Sequence, residues 1–157
     1  MPVALRLVLY ALGVVLLQWL VFGRLTIYGA YPDVVLLFVA YAALRFGRVT
    51  GAVTGFGTGL LLGAVYGMWG SHMLVKTVMG FVVGQFSADT PEIPNLGPAQ
   101  AFGGALALAL VHNGFLAIIL ALDHGTRTAG FLIGSFWIGS AVMTALVAVL
   151  WTLARGR

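Results

Sequence analysis

The sequence predicts an all-α membrane protein, a six-transmembrane-helix bundle forming a single polytopic domain over residues 1–157. Two observations carry that expectation. The chain is 61% hydrophobic and 8% charged, whereas a soluble domain ionises roughly a quarter of its residues to cover its surface. Apolar runs close to the roughly 20 residues that cross a hydrocarbon core also follow one another with brief connections. The mean hydropathy of +1.07 agrees with both.

The first span covers 5–23. Arg6 precedes an apolar run from Leu7 to Phe22 that exceeds a signal-peptide core, and no small-residue cleavage site follows, so the run reads as a retained membrane helix. The second, 31–46, opens on Pro32-Asp33, where a carboxylate suits the positive end of a helix and can cap it. It is short, with only Val34 to Leu44 between Asp33 and Arg45. The third covers 48–70. The fourth, 72–88, is again short and carries Lys76, which is expected to snorkel to the outer surface. Four full spans with two partial insertions is therefore the alternative count. ADTPEIPNLGP at 88–98 holds three prolines and two acids, Asp89 and Glu92, and reads as a solvated loop. The fifth and sixth spans, 98–122 and 128–154, are long.

Basic residues set orientation. With the N-terminus inside, Arg6, Arg45, Arg48, Arg155 and Arg157 face the cytoplasm and Arg24, Lys76 and Arg127 the outside. Both termini are expected to be cytoplasmic. Trp19, Trp69 and Trp151 then fall at the interfaces as anchors. Arg45 and Arg48 bracket the turn between the second and third spans, where they fix topology and meet lipid phosphates; contact with a cytoplasmic filament partner is the sharper alternative.

Residues 47 to 70 read GRVTGAVTGFGTGLLLGAVYGMWG. Glycine recurs every fourth position at Gly47, Gly51, Gly55, Gly59, Gly63 and Gly67, although each costs a helix in water about 1 kcal/mol relative to alanine. In lipid, close backbone packing replaces the hydrophobic drive between helices, and glycine permits it. Four residues advance a helix by about 40°, so the ridge winds through roughly 200°. One partner helix is not expected to follow all of it. The groove serves packing within the bundle, or part of it takes a second polypeptide, including a second copy of the chain.

Few polar residues lie at membrane depth. His112 and Asn113 in the fifth span, with Lys76, form a candidate pocket or polar lock; the bland reading is a buried hydrogen bond to a neighbouring helix. Adjacent helical positions point about 100° apart, so His112 and Asn113 are not expected to line one small site equally. Catalysis is not expected. GSFWIGSA, with Ser135 and Ser140, lacks a nucleophile motif. His72, His112 and His124 lack metal-ligand spacing, cysteine is absent, and no cofactor is implied. The net charge of +4 comes from scattered basic residues, which argues against nucleic acid as a partner.

Over residues 31 to 86 the chain resembles the MreD family, small polytopic membrane proteins of the bacterial rod-shape system. The resembling elements are Pro32-Asp33, Ala43-Leu44-Arg45, Gly47-Arg48, Gly51, Gly55-Phe56, Gly59-Leu60-Leu61, Lys76-Thr77, Gly80-Phe81 and Gly84. Members often carry an aspartate soon after Gly-Leu-Leu, where this chain has Gly63, so that acid's role is not carried over. The resemblance implies a non-catalytic scaffold of the inner membrane that binds the single-span protein MreC. With MreB filaments, it would help position the glycosyltransferase and transpeptidase of peptidoglycan synthesis during elongation. The family is also similar to the solute-binding subunits of energy-coupling-factor-type vitamin importers, six-helix bundles with a solute cavity, which is the alternative function.

Overall fold

The computed structural model describes residues 2–87, 97–124 and 131–155. The described chain is all-helical, without strands. Its α-helices are α1 (Val3–Leu17), α2 (Val34–Tyr66), α3 (Ser71–Val83), α4 (Pro98–His124) and α5 (Ser140–Arg155). A π-helical turn, Gln18–Phe22, continues α1, and a longer π-helix, Phe131–Gly139, leads into α5. Four stretches are long and apolar enough to cross a membrane: Val3–Phe22, Val34–Tyr66, Pro98–Leu122 and Ile133–Ala154. Residues 88–96, with Asp89 and Glu92, lie outside the described residues, as do Arg127, Arg157 and the Arg155 side chain.

The longest helix, α2, is not straight. Gly47 takes φ 85° and ψ 178°, outside the helical region, and the chain turns back there. In a straight helix, residues eight apart are separated by about 12 Å. Here a Cβ built on Gly51 would lie 2.5 Å from the Ala43 Cβ. Val35, Val39 and Leu62 likewise share one apolar cluster with Val15 of α1, which a straight rod would forbid. So α2 is a hairpin of two arms, 34–46 and 48–66. The first arm rises only about 20 Å, short of a hydrocarbon core of about 30 Å, and α3, with 13 residues, is as short.

Contacts group the chain into two compact units, Met1–Leu20 with Val35–Pro94 and Val21–Val34 with Asn95–Arg157. In the first, α1, both arms of α2 and α3 surround the Val15, Val35, Val39 and Leu62 cluster. In the second, α4 packs along α5 and the π-helix ahead of it. The link from α1 reverses tightly at Tyr28 and Gly29, both with positive φ, closed by reciprocal Ile27 and Ala30 main-chain bonds of 2.9 Å.

Element ends differ from expectation for local reasons. Residues 31–33 precede α2 instead of opening it, because a residue before proline avoids the helical region. The second arm of α2 stops at Tyr66, since Gly67 takes φ 70° and closes the helix as a left-handed cap.

The Gly47 conformation lies in a region essentially reserved for glycine. Gly47→Ala should therefore destabilise the protein by about 1–3 kcal/mol in reversible unfolding from detergent micelles. An unchanged unfolding midpoint would contradict the strained reversal.

Candidate functional site

The glycine ridge meets α3. A Cβ on Gly55 would run into the Lys76 carbonyl oxygen and lie 2.6 Å from the carbonyl carbon. One on Gly59 would lie 2.5 Å from the His72 oxygen and 2.6 Å from the Met73 Cα. Gly51 faces the Gly80 oxygen, and Gly80 faces the Gly51 oxygen in return. At the open end, Gly63 stands 3.1 Å from the Met68 oxygen, and Gly84 meets the Arg48 main chain at the other. Each four-residue step along α2 is matched by four residues back along α3. The two helices are antiparallel and meet main chain to main chain, with no side chain between them.

The ridge therefore divides. Gly51, Gly55, Gly59 and Gly63 are buried in the interface. Gly47 and Gly67 have open space where a Cβ would stand and instead supply positive φ at the two ends of the second arm. Contrary to the expectation from 40° steps, one helix follows the buried glycines along their length. Both helices present residues at the same four-residue interval, so the pair can wrap together and keep the contact. Gly51 does have a second neighbour, Ala43 of the first arm.

Lys76 is 0% exposed and does not snorkel, because docking α3 into the groove carries its second turn into the protein. Arg45 and Arg48 are exposed on either side of the Gly47 reversal, with the Arg45 guanidinium 5.7 Å from the Phe46 ring centre. Thr58, nearly fully buried, satisfies its hydroxyl within its own helix on the Thr54 oxygen at 2.8 Å.

His112 and Asn113 lie in the second unit, within a buried polar cluster. Tyr31-Pro32-Asp33 runs alongside the start of α5. The Tyr31 N–H donates to Ser140 Oγ at 3.1 Å and the Asp33 N–H to Thr144 Oγ1 at 2.9 Å. Thr144 Oγ1 passes its own hydrogen to the Ser140 oxygen at 2.7 Å. The spacing fits because two extended residues rise about 6.6 Å and one helical turn about 5.4 Å. Pro32, between the two donors, has no N–H to satisfy.

The Asp33 carboxylate is the second function of this segment. Its Oδ2 lies 4.0 Å from His112 Nε2. On the other side of the ring, His112 Nδ1 is 2.9 Å from Asn113 Oδ1, so the two adjacent side chains do share one site, against expectation; the side chains turn toward one another despite their diverging Cβ directions. Asn113 Nδ2 donates to the Trp137 oxygen at 3.4 Å, and the Trp137 indole N–H donates back to the Leu110 oxygen at 2.7 Å. Gly114 leaves room for that indole, 3.3 Å from where its Cβ would stand.

Sequence reasoning missed Ser140, Thr144 and Trp137. Two hydroxyls four residues apart on an apolar helix were the available signal. The π-helix that aims Trp137 had none. Among the described residues, no group of three or more His, Cys, Asp or Glu side chains is placed to hold a metal. Comparison with protein-family models, curated proteins and solved structures finds no match to this chain.

Two substitutions separate contact from composition. Gly55→Ala should destabilise by about 1–3 kcal/mol through overpacking, whereas Gly57→Ala, with nothing within 4 Å of its Cβ, should be neutral or stabilising by up to about 1 kcal/mol. Equal effects in micelle unfolding would refute the interface. Thr144→Val keeps the volume but strands the Asp33 N–H, and should cost about 1–3 kcal/mol; no measurable loss would show that the segment is held otherwise.

Proposed function

We propose that this chain is a non-catalytic integral membrane scaffold of the MreD kind, which binds MreC in the bacterial inner membrane and serves the cell-elongation machinery. One observation carries the reading. The residues that bear the resemblance are far apart in sequence yet meet in space: Gly51 with Gly80, Gly55 with Lys76, and Gly84 with Arg48. A motif whose members contact one another is a structural unit, whereas a chance scatter of glycines need not be.

In this reading the chain passes the membrane six times, with α2 counted as two short-linked passes and both termini cytoplasmic. Arg45 and Arg48 then lie on the cytoplasmic face, where MreB filaments and the polymerising enzymes assemble. Because α3 fills the glycine groove, the MreC helix must use another face. Val49, Val53, Phe56 and Leu60 form an exposed apolar stripe on the second arm of α2, spaced at helical intervals on the side away from the buried glycines. The action is steric: an apolar face receives a helix, and the rigid hairpin fixes its register.

The vitamin-importer alternative needs polar groups converging on a solute. His112, Asn113, Asp33, Ser140 and Thr144 are instead buried and bonded into one another, which favours the scaffold. Co-expression with MreC provides the test. MreC should co-purify in detergent, and a photo-crosslinking residue at Val53 should capture it. Purification without MreC but with a tightly held vitamin would support the importer instead.

A further inference from the structure

His112 has no exposed surface, and its neighbours determine which ring nitrogen carries hydrogen. The Trp137 main-chain oxygen can only accept, so the Asn113 atom bonded to it is the amide nitrogen Nδ2. That leaves Asn113 Oδ1 against His112 Nδ1 at 2.9 Å. An amide oxygen cannot donate, so Nδ1 holds the hydrogen of this bond. Nε2 is then the nitrogen whose proton can come and go, and the Asp33 carboxylate faces it at 4.0 Å.

The other contacts around the pair do not titrate in the ordinary range. The π-helix contributes the Trp137 carbonyl and indole. Helix α5 contributes the Ser140 and Thr144 hydroxyls, which hold the main chain carrying Asp33. Asp33 is itself buried, with a side chain 12% exposed. The ring and the carboxylate are thus held face to face from two sides: Asn113 orients the ring, and Thr144 orients the backbone of Asp33.

We propose that His112 Nε2 and the Asp33 carboxylate form a proton-binding site, taking up one proton per chain. Uptake makes one N–H bond at Nε2, turns the imidazole into an imidazolium opposite a carboxylate, and involves no oxidation or reduction. Ionisable pairs enclosed at membrane depth are the groups from which proton sites are built. The inference stands apart from the scaffold reading, since it depends only on this cluster.

The test is nitrogen NMR of the full chain in lipid nanodiscs, with labelled histidine assigned through the His112–Asn113 peptide bond, which occurs once in the sequence. Nδ1 should remain protonated throughout, and Nε2 should carry a proton over part or all of the pH range in which the fold survives. At a fixed pH within that range, Asp33→Asn should reduce the doubly protonated fraction by about tenfold. Bare Nδ1 with a permanently protonated Nε2 would overturn the site, as would an Nε2 that never takes up a proton. If Asp33→Asn does not fold, the unsubstituted chain decides alone. If it folds and the protonated fraction is unchanged, Asp33 is not part of the site and the proposal fails.

Discussion

Gly55 occupies a place where no side chain fits. The Lys76 main-chain oxygen stands where its Cβ would be, and the same holds one turn on at Gly59 and one turn back at Gly51. Much of the first unit follows from this constraint. The second arm of α2 and α3 must be antiparallel, in one register, and joined by a short turn at Gly67 to Gly70. In water this arrangement would be costly, since each helical glycine gives up about 1 kcal/mol. In lipid, helices gain little by hiding apolar side chains from a solvent that is apolar already. Main-chain contact over several turns supplies dispersion that bulky residues would prevent.

The second unit solves a different problem. A segment in extended form exposes N–H groups that lipid cannot satisfy. Tyr31 and Asp33 give theirs to hydroxyls one helical turn apart on α5, and proline removes the donor between them. Thr144 accepts from Asp33 and donates to Ser140, so its hydroxyl is used in both directions. This fixes Asp33 opposite His112. The polar residues at membrane depth therefore act as a set, in which the backbone bonds place the charged one.

Much of this could be read in advance. The four-residue glycine spacing, the shortness of the segments around Val34–Leu44 and Lys76, and a break at Gly47 all follow from local composition. The choice of partner did not, because a 40° drift per step looks unfollowable when one helix is considered alone and becomes followable when the other drifts equally. The roles of Gly47 and Gly67 depend on φ, which spacing does not encode. Lys76 near a helix end reads as a snorkelling side chain until the groove that draws α3 inward is known. Ser140 and Thr144 in an apolar run look like packing residues, and their use depends on a segment more than a hundred residues earlier in the chain. Asp33 suits a helix start on sequence grounds; its place opposite His112 is a matter of tertiary structure.

The scaffold reading and the fold meet at the α2–α3 interface, so that contact is the one to measure. Lys76 is the only lysine in the chain, which allows its carbonyl carbon to be labelled uniquely alongside glycine Cα carbons. Solid-state NMR in lipid bilayers should then give a through-space dipolar contact from the Lys76 carbonyl to the Cα of Gly55. Spectra showing Lys76 coupled to Gly80 in its own helix, but not to Gly55, would contradict the close approach on which the account is built.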